Sequence, residues 1–232
     1  MNIQEHVIAA LRGAPRHKEP FPWFFAENVF PSDFYAHLQD VLAKKEDFHT
    51  EKFANRTFAN SPLDPALDFM ASNEFFHEML RLFSEELVAD YGGKKATFTR
   101  DVRLIRDNQG YKIGPHTDAP WKVLSLLFYL PPDDSMKEYG TAIYVPKNKS
   151  FRCPGGPHYS FEHFDMVDRV PFLPNTCLGF WKTDHSFHGV PPIAGVVRRD
   201  VLLYNIYRES HTLTSLEPHR EPRQDRIRGP VP

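Results

Sequence analysis

Gly114-Pro115-His116-Thr117-Asp118 is followed further along the chain by Ser186-Phe187-His188-Gly189-Val190 and then by Arg198-Arg199. Two imidazoles and one carboxylate are the donor set of a facial iron site with open coordination positions. Side chains two apart in a strand point the same way, so the spacing predicts that His116 and Asp118 reach one metal from a single edge. A helix would need its ligands three or four apart. The distant His188 must then arrive on a neighbouring strand, which implies a β scaffold.

A bare His-x-Asp tripeptide is weak evidence, because twelve histidines make one expected by chance; the chain holds a second, His163-Phe164-Asp165. Context separates them. The first precedes an apolar run, Lys122 to Leu130, and lies far enough before His188 for a sheet to return. The second leaves little room for intervening strands and is flanked by Phe161, Phe164 and Met166, so it reads as sheet packing.

The chain is long enough for one substantial core. A 41% hydrophobic and 25% charged composition is that of a globular protein. A net charge of −2 without a long basic run argues against nucleic acid or an acidic membrane surface as partner. No apolar run is long enough for a membrane span, and the start lacks the pattern of a secretory signal. Cys153 and Cys177 read as two free thiols in a reducing compartment, so a cytoplasmic location is expected.

Helical spacing comes first. Ile3, Val7, Ile8 and Leu11 predict a leading helix. Pro20 to Phe25 reads as an extended stretch against the core. Ser32 is the expected N-cap of a helix carrying Phe34, Leu38, Val41 and Leu42. One longer helix is predicted from Ser72 through Phe75, Phe76, Met79, Leu80, Phe83, Leu87 and Val88 to Gly92-Gly93. Beyond residue 95 strands are predicted at Thr97–Ile105, Tyr111–Asp118, Val123–Leu130, Thr141–Val145, Thr176–Trp181, Phe187–Val190 and Asp200–Tyr207. Turn residues separate them, as in a sandwich or barrel. The division expected is a helical 1–95 and a β-barrel 96–210 in one domain, with 211–232 a mobile tail.

These residues, in this order, resemble the iron(II)/2-oxoglutarate-dependent oxygenase superfamily, nearest to its prolyl-hydroxylase-like bacterial branch. The resemblance covers most of the chain. It rests on Pro20-Phe-Pro-Trp-Phe-Phe-Ala-Glu-Asn-Val-Phe-Pro31, Tyr111-x-x-Gly-Pro-His116-x-Asp118, Phe128-Tyr-Leu-Pro131, Gly140-Thr-Ala-Ile-Tyr144, and His188-Gly-Val followed by Arg-Arg. It implies a double-stranded β-helix, a jelly-roll barrel with N-terminal helices packed against it. His116, Asp118 and His188 would hold Fe(II), leaving positions for 2-oxoglutarate and dioxygen.

The distal carboxylate of 2-oxoglutarate needs a buried cation, for which Arg is suited by its bidentate geometry. Alternation lets only one of Arg198 and Arg199 point inward, and Arg199 shares a face with Val201, Leu203 and Asn205. Tyr129 stands where related hydroxylases bond the same carboxylate; its other reading is a core tyrosine with a satisfied hydroxyl. The activity implied is hydroxylation of an unactivated C–H bond of a small molecule, with decarboxylation of 2-oxoglutarate to succinate. The competing readings are a protein-directed prolyl-type hydroxylase, a zinc hydrolase and a non-catalytic jelly-roll binder. Trp121 is a candidate pocket wall, and the Lys147–Pro157 segment reads as a candidate lid or a solvated loop.

Overall fold

The computed structural model describes residues 2–51, 55–195 and 197–209. The expected tail, 211–232, lies outside them. The helices are α1 (Ile3–Gly13), α2 (Ser32–Lys44), α3 (Asn73–Arg81) and α4 (Ser84–Tyr91). Interspersed with them are four short strands, β1 (Arg16–His17), β2 (Trp23–Glu27), β3 (Phe48–Thr50) and β4 (Arg56–Ala59). The rest is strand-rich: β5 (Phe98–Asp107), β6 (Ile113–His116), β7 (Lys122–Tyr129), β8 (Ala142–Pro146), β9 (Phe164–Arg169), β10 (Thr176–Trp181), β11 (His188–Val190) and β12 (Arg199–Arg208). The change of pattern after residue 95 is present. Strands β3 and β4 escape a sequence reading because they lack a buried/exposed alternation.

Among the described residues the strands form an eight-stranded sheet, β1-β2-β10-β7-β12-β5-β4-β3, and a four-stranded sheet, β6-β11-β8-β9, paired antiparallel. The period of two divides the large sheet into two faces. Leu202, Tyr204 and Ile206 of β12 pack under the helices with Val7, Leu38, Phe75 and Met79. Val201 faces the other way, with Ile105, Tyr129, Leu178, Phe180 and Ile143 of the small sheet. That inner face is where the site lies.

Two helix boundaries differ from expectation. Ser32 does not cap α2. Pro31 occupies the cap position and its carbonyl accepts the first helical bond from the Tyr35 N–H, so Ser32 is already helical. The long helix after Ser72, which does cap α3 by accepting from the Phe75 N–H, is broken at Phe83 (φ −124°, ψ 46°). The break turns Phe83 into the core against Phe24 and Trp181. Burying such a ring is worth about 1.5–3 kcal/mol, more than the roughly 0.5–1.5 kcal/mol net value of a backbone hydrogen bond given up. The following helix buries no residue completely, and Val88 is exposed.

Candidate metal centre

Strands β6 and β11 pair so that His116 and His188 stand opposite each other, ring centroids 4.3 Å apart. Two glycines permit the close backbone approach. A Cβ on Gly189 would lie 2.6 Å from the Ile113 carbonyl oxygen, and one on Gly114 2.2 Å from that of Tyr159. The glycines of Gly-Pro-His and His-Gly-Val therefore belong to the scaffold of the site. Strand β6 ends at His116, and Asp118 lies beyond it with φ +64°. Simple alternation along one strand is thus not how the carboxylate arrives. A left-handed turn aims it, at a cost of about 1–3 kcal/mol, in a conformation that Asp tolerates better than most residues.

Nε2 of His116 is 3.8 Å from Oδ1 of Asp118, and Nε2 of His188 is 3.7 Å from Oδ2. Donor atoms of the three residues lie within 4.8 Å of one another. These gaps are too wide for hydrogen bonds and suit atoms gathered around an ion. Each imidazole is oriented by its other nitrogen: His116 Nδ1 donates to the Gly114 carbonyl and His188 Nδ1 to the Ser186 carbonyl, both at 2.9 Å. A carbonyl can only accept, so Nε2 of each ring carries its lone pair toward the centre, as in metal-bound histidines.

Burial pushes the pKa of both imidazoles down, His116 furthest, with His188 and His158 adding to its shift. Burial would raise Asp118, but Lys122, His188 and His116 outweigh it and hold the carboxyl well below its usual range. At neutral pH the set is two neutral nitrogens and one carboxylate, ready to ligate a divalent metal without losing a proton. Behind Asp118, Lys122 Nζ stands 3.1 Å from Oδ1 and Ser125 Oγ 3.3 Å from Oδ2.

No family model matches the chain, and no curated protein does. Solved structures do. A Pseudomonas putida prolyl-4-hydroxylase matches with a TM-score of 0.51 at 14% identity, over 90% of this chain and 100% of that one. A Trichoplax adhaerens prolyl hydroxylase, solved with a hypoxia inducible factor oxygen degradation domain peptide fragment, matches at 0.50 and 14%, over 88% of each chain. AviO1 from Streptomyces viridochromogenes Tue57 matches at 0.50 and 14%, over 89% and 96%. The chain has the fold of these prolyl hydroxylases.

In this fold a cavity of about 80 Å³ extends from the three donors to Arg199 and Thr141. Arg199 is 1% exposed and points inward. Its Nε donates to the Tyr139 carbonyl at 2.8 Å, its Nη1 to Asp107 Oδ2 at 2.7 Å, and its Nη2 reaches Thr141 Oγ1 at 3.5 Å. The guanidinium has more donors than these acceptors use. Arg198 points to the opposite face, bonded to Asp200 and the Leu42 carbonyl. Tyr129 is fully buried and donates to Thr141 Oγ1 at 2.7 Å, beside the Arg199 guanidinium. A larger cavity of about 470 Å³, between β4 and the 65–71 turn, is lined by none of the metal-donor residues.

Further residues fall outside the cluster. His185 is held by Asp184, and His163 lies beside Glu162, both half-buried. Trp121 is 40% exposed and does not line the cavity. The 147–157 segment is tied down beside the metal turn: Thr117 Oγ1 donates to the Cys153 carbonyl and Lys182 to that of Pro154. Both cysteines are free and buried.

Three groups at the site were not expected. Asp107 accepts two hydrogen bonds from Arg56 (2.5 and 2.9 Å) in addition to the one from Arg199. The strand predicted to end at Ile105 continues to Asp107, which hid the carboxylate's place at the end of β5. His158 packs edge-on to His116 at 4.6 Å. Burial lowers its pKa from 6.5 to about 4.

With the folded pKa lower, the unfolded chain binds the proton more readily. The stability His158 contributes is therefore complete above about pH 6.5 and lost as pH falls toward 4. The metal-free protein should lose stability in that window, and His158→Phe should flatten the loss. Urea denaturation at a series of pH values measures both.

Proposed function

We propose that the protein is an iron(II)- and 2-oxoglutarate-dependent dioxygenase that hydroxylates an unactivated C–H bond of a small molecule while 2-oxoglutarate is decarboxylated to succinate. The carrying observation is that His116, Asp118 and His188 converge in one cavity whose far wall holds the buried cation Arg199. On this reading the described residues form one oxygenase domain built on a double-stranded β-helix, which the two antiparallel sheets and their shared inner core support. No helix among the described residues is long and apolar enough to cross a membrane, and the two free buried thiols are in keeping with a cytoplasmic setting.

His116, Asp118 and His188 would hold the metal. Ferrous iron, when bound, supplies the dioxygen-activating chemistry that no side chain offers. Arg199 would grip the distal carboxylate of 2-oxoglutarate, with Thr141 beside it and Tyr129 fixing the threonine hydroxyl. Lys122 and Ser125 hold the Asp118 carboxylate in its strained position. Ile105, Leu127, Val190 and Leu203 line the cavity and limit water there.

Succinate formation at varied 2-oxoglutarate tests the reading. Hydrogen bonds to a charged group are worth about 1.5–3 kcal/mol, so Arg199→Ala should raise the KM for 2-oxoglutarate roughly 10–100-fold. Arg198→Ala should leave it near the wild-type value. The reverse result would overturn the assigned carboxylate pocket.

A further inference from the structure

Asn205 lies on β12, on the same inner face as Arg199, and is 3% exposed. Its Oδ1 has no hydrogen-bond partner among the described residues. Directly across on β7 stands Ser125, whose Oγ is the group 3.3 Å from Asp118 Oδ2. Directly opposed residues hold their Cβ atoms about 4.5–5.5 Å apart, so the amide sits one strand spacing from a metal donor's neighbour. Asn205 lines the same cavity as His116, Asp118 and His188.

Position along the strand separates it from the cosubstrate end. At about 3.3 Å per residue, Asn205 is roughly 20 Å of backbone from Arg199, with Val201 and Leu203 between them. On the oxygenase reading above, the distal carboxylate of a short diacid would be held at Arg199, at the far end of this stretch of strand from the amide. A buried carbonyl oxygen without a partner costs stability until a donor reaches it. The cavity's charges restrict that donor. Arg56, Lys122 and Arg199 line it against Asp118, with Asp107 behind, and a metal would add positive charge. An ammonium would be repelled, and a carboxylate has no hydrogen to give.

We propose that Asn205 recognises the organic substrate of the oxygenase reading above, accepting a hydrogen bond from a neutral N–H or O–H of a small amide or alcohol held beside Asp118. The site thus selects a neutral polar substrate over a hydrocarbon or an amine.

The test uses the full chain loaded with manganese and 2-oxoglutarate, and two probes, N-methylacetamide and N,N-dimethylacetamide, of which only the first has an N–H. Paramagnetic broadening of the probe methyl signals reports binding near the metal. The expected result is binding of N-methylacetamide about 3–10-fold tighter than that of its dimethyl analogue, a preference lost in Asn205→Leu and partly kept in Asn205→Ser. Asn205→Leu should also melt about 2–4 °C higher, because the unpaired oxygen is gone. Manganese affinity, measured on each protein, reports the metal site separately. Equal binding of both probes to the loaded wild type, or a lower melting temperature with the preference intact in Asn205→Leu, overturns the proposal alone. Failure to take up manganese removes the oxygenase reading and this proposal with it.

Discussion

Alanine at Asp118 is expected to lower succinate formation from 2-oxoglutarate by well over 100-fold, and alanine at His116 to do the same. Loss of a group that merely orients a metal ligand costs roughly 10–100-fold, and loss of the ligand itself must exceed that. Asp118 carries the negative charge of the donor set and is the partner of Lys122 and Ser125, so its removal also leaves an ammonium beside the metal. The backbone complicates one variant: at φ +64° alanine is less tolerated than aspartate. Asp118→Asn separates the effects, since asparagine accepts the left-handed conformation but lacks the charge. Turnover should be lost in both variants, while the far-ultraviolet circular dichroism of Asp118→Asn stays that of the wild type. Turnover within tenfold of wild type in Asp118→Asn would contradict the assigned ligand set.

Asp107→Ala should be among the most destabilising substitutions in the chain. Strand β5 runs between β4 and β12, and the register places Arg56, Asp107 and Arg199 on one rung. The Asp107 side chain is 0% exposed, that of Arg199 1% and that of Arg56 13%. Removing the carboxylate takes away the charge that bridges the two guanidinium groups. Breaking a buried pair in this way costs about 3–5 kcal/mol. For a domain of this size that is a fall in melting temperature of about 6–20 °C. By contrast Asp101→Ala, which breaks the more exposed pair with Arg103, should cost at most about 1 kcal/mol. Urea denaturation of the two variants side by side measures the difference. Equal, small losses would mean that the buried rung does not carry the stability assigned to it.

What the sequence made legible follows from what periodicity encodes. Alternation on β12 put Arg199 on the face of Val201 and away from Arg198, and the structure orients the two side chains in that way. The motif glycines, Gly114 and Gly189, marked positions where two backbones meet closely. Periodicity does not encode where a strand stops. Extending the metal strand to Asp118 hid the left-handed turn, and ending β5 at Ile105 hid Asp107. Ser32 and the Phe83 break were misread for a related reason. Local preference favours a serine cap and an unbroken helix, whereas the structure puts Pro31 at the cap of α2 and drives Phe83 into a distant aromatic cluster. Arg56 and His158 reach the site only through long-range pairing and loop packing, for which a single sequence carries no local signal.

The proposed activity requires a ferrous 2-oxoglutarate site built from His116, Asp118, His188 and Arg199. Its most direct test is anaerobic titration of the metal-free protein with ferrous iron and then 2-oxoglutarate, followed by visible absorption. A metal-to-ligand charge-transfer band should appear only with both components, saturate at one equivalent of iron, and be missing in His188→Ala. A folded wild-type protein that shows no band under saturating iron and 2-oxoglutarate, or a band that survives in His188→Ala, would contradict it.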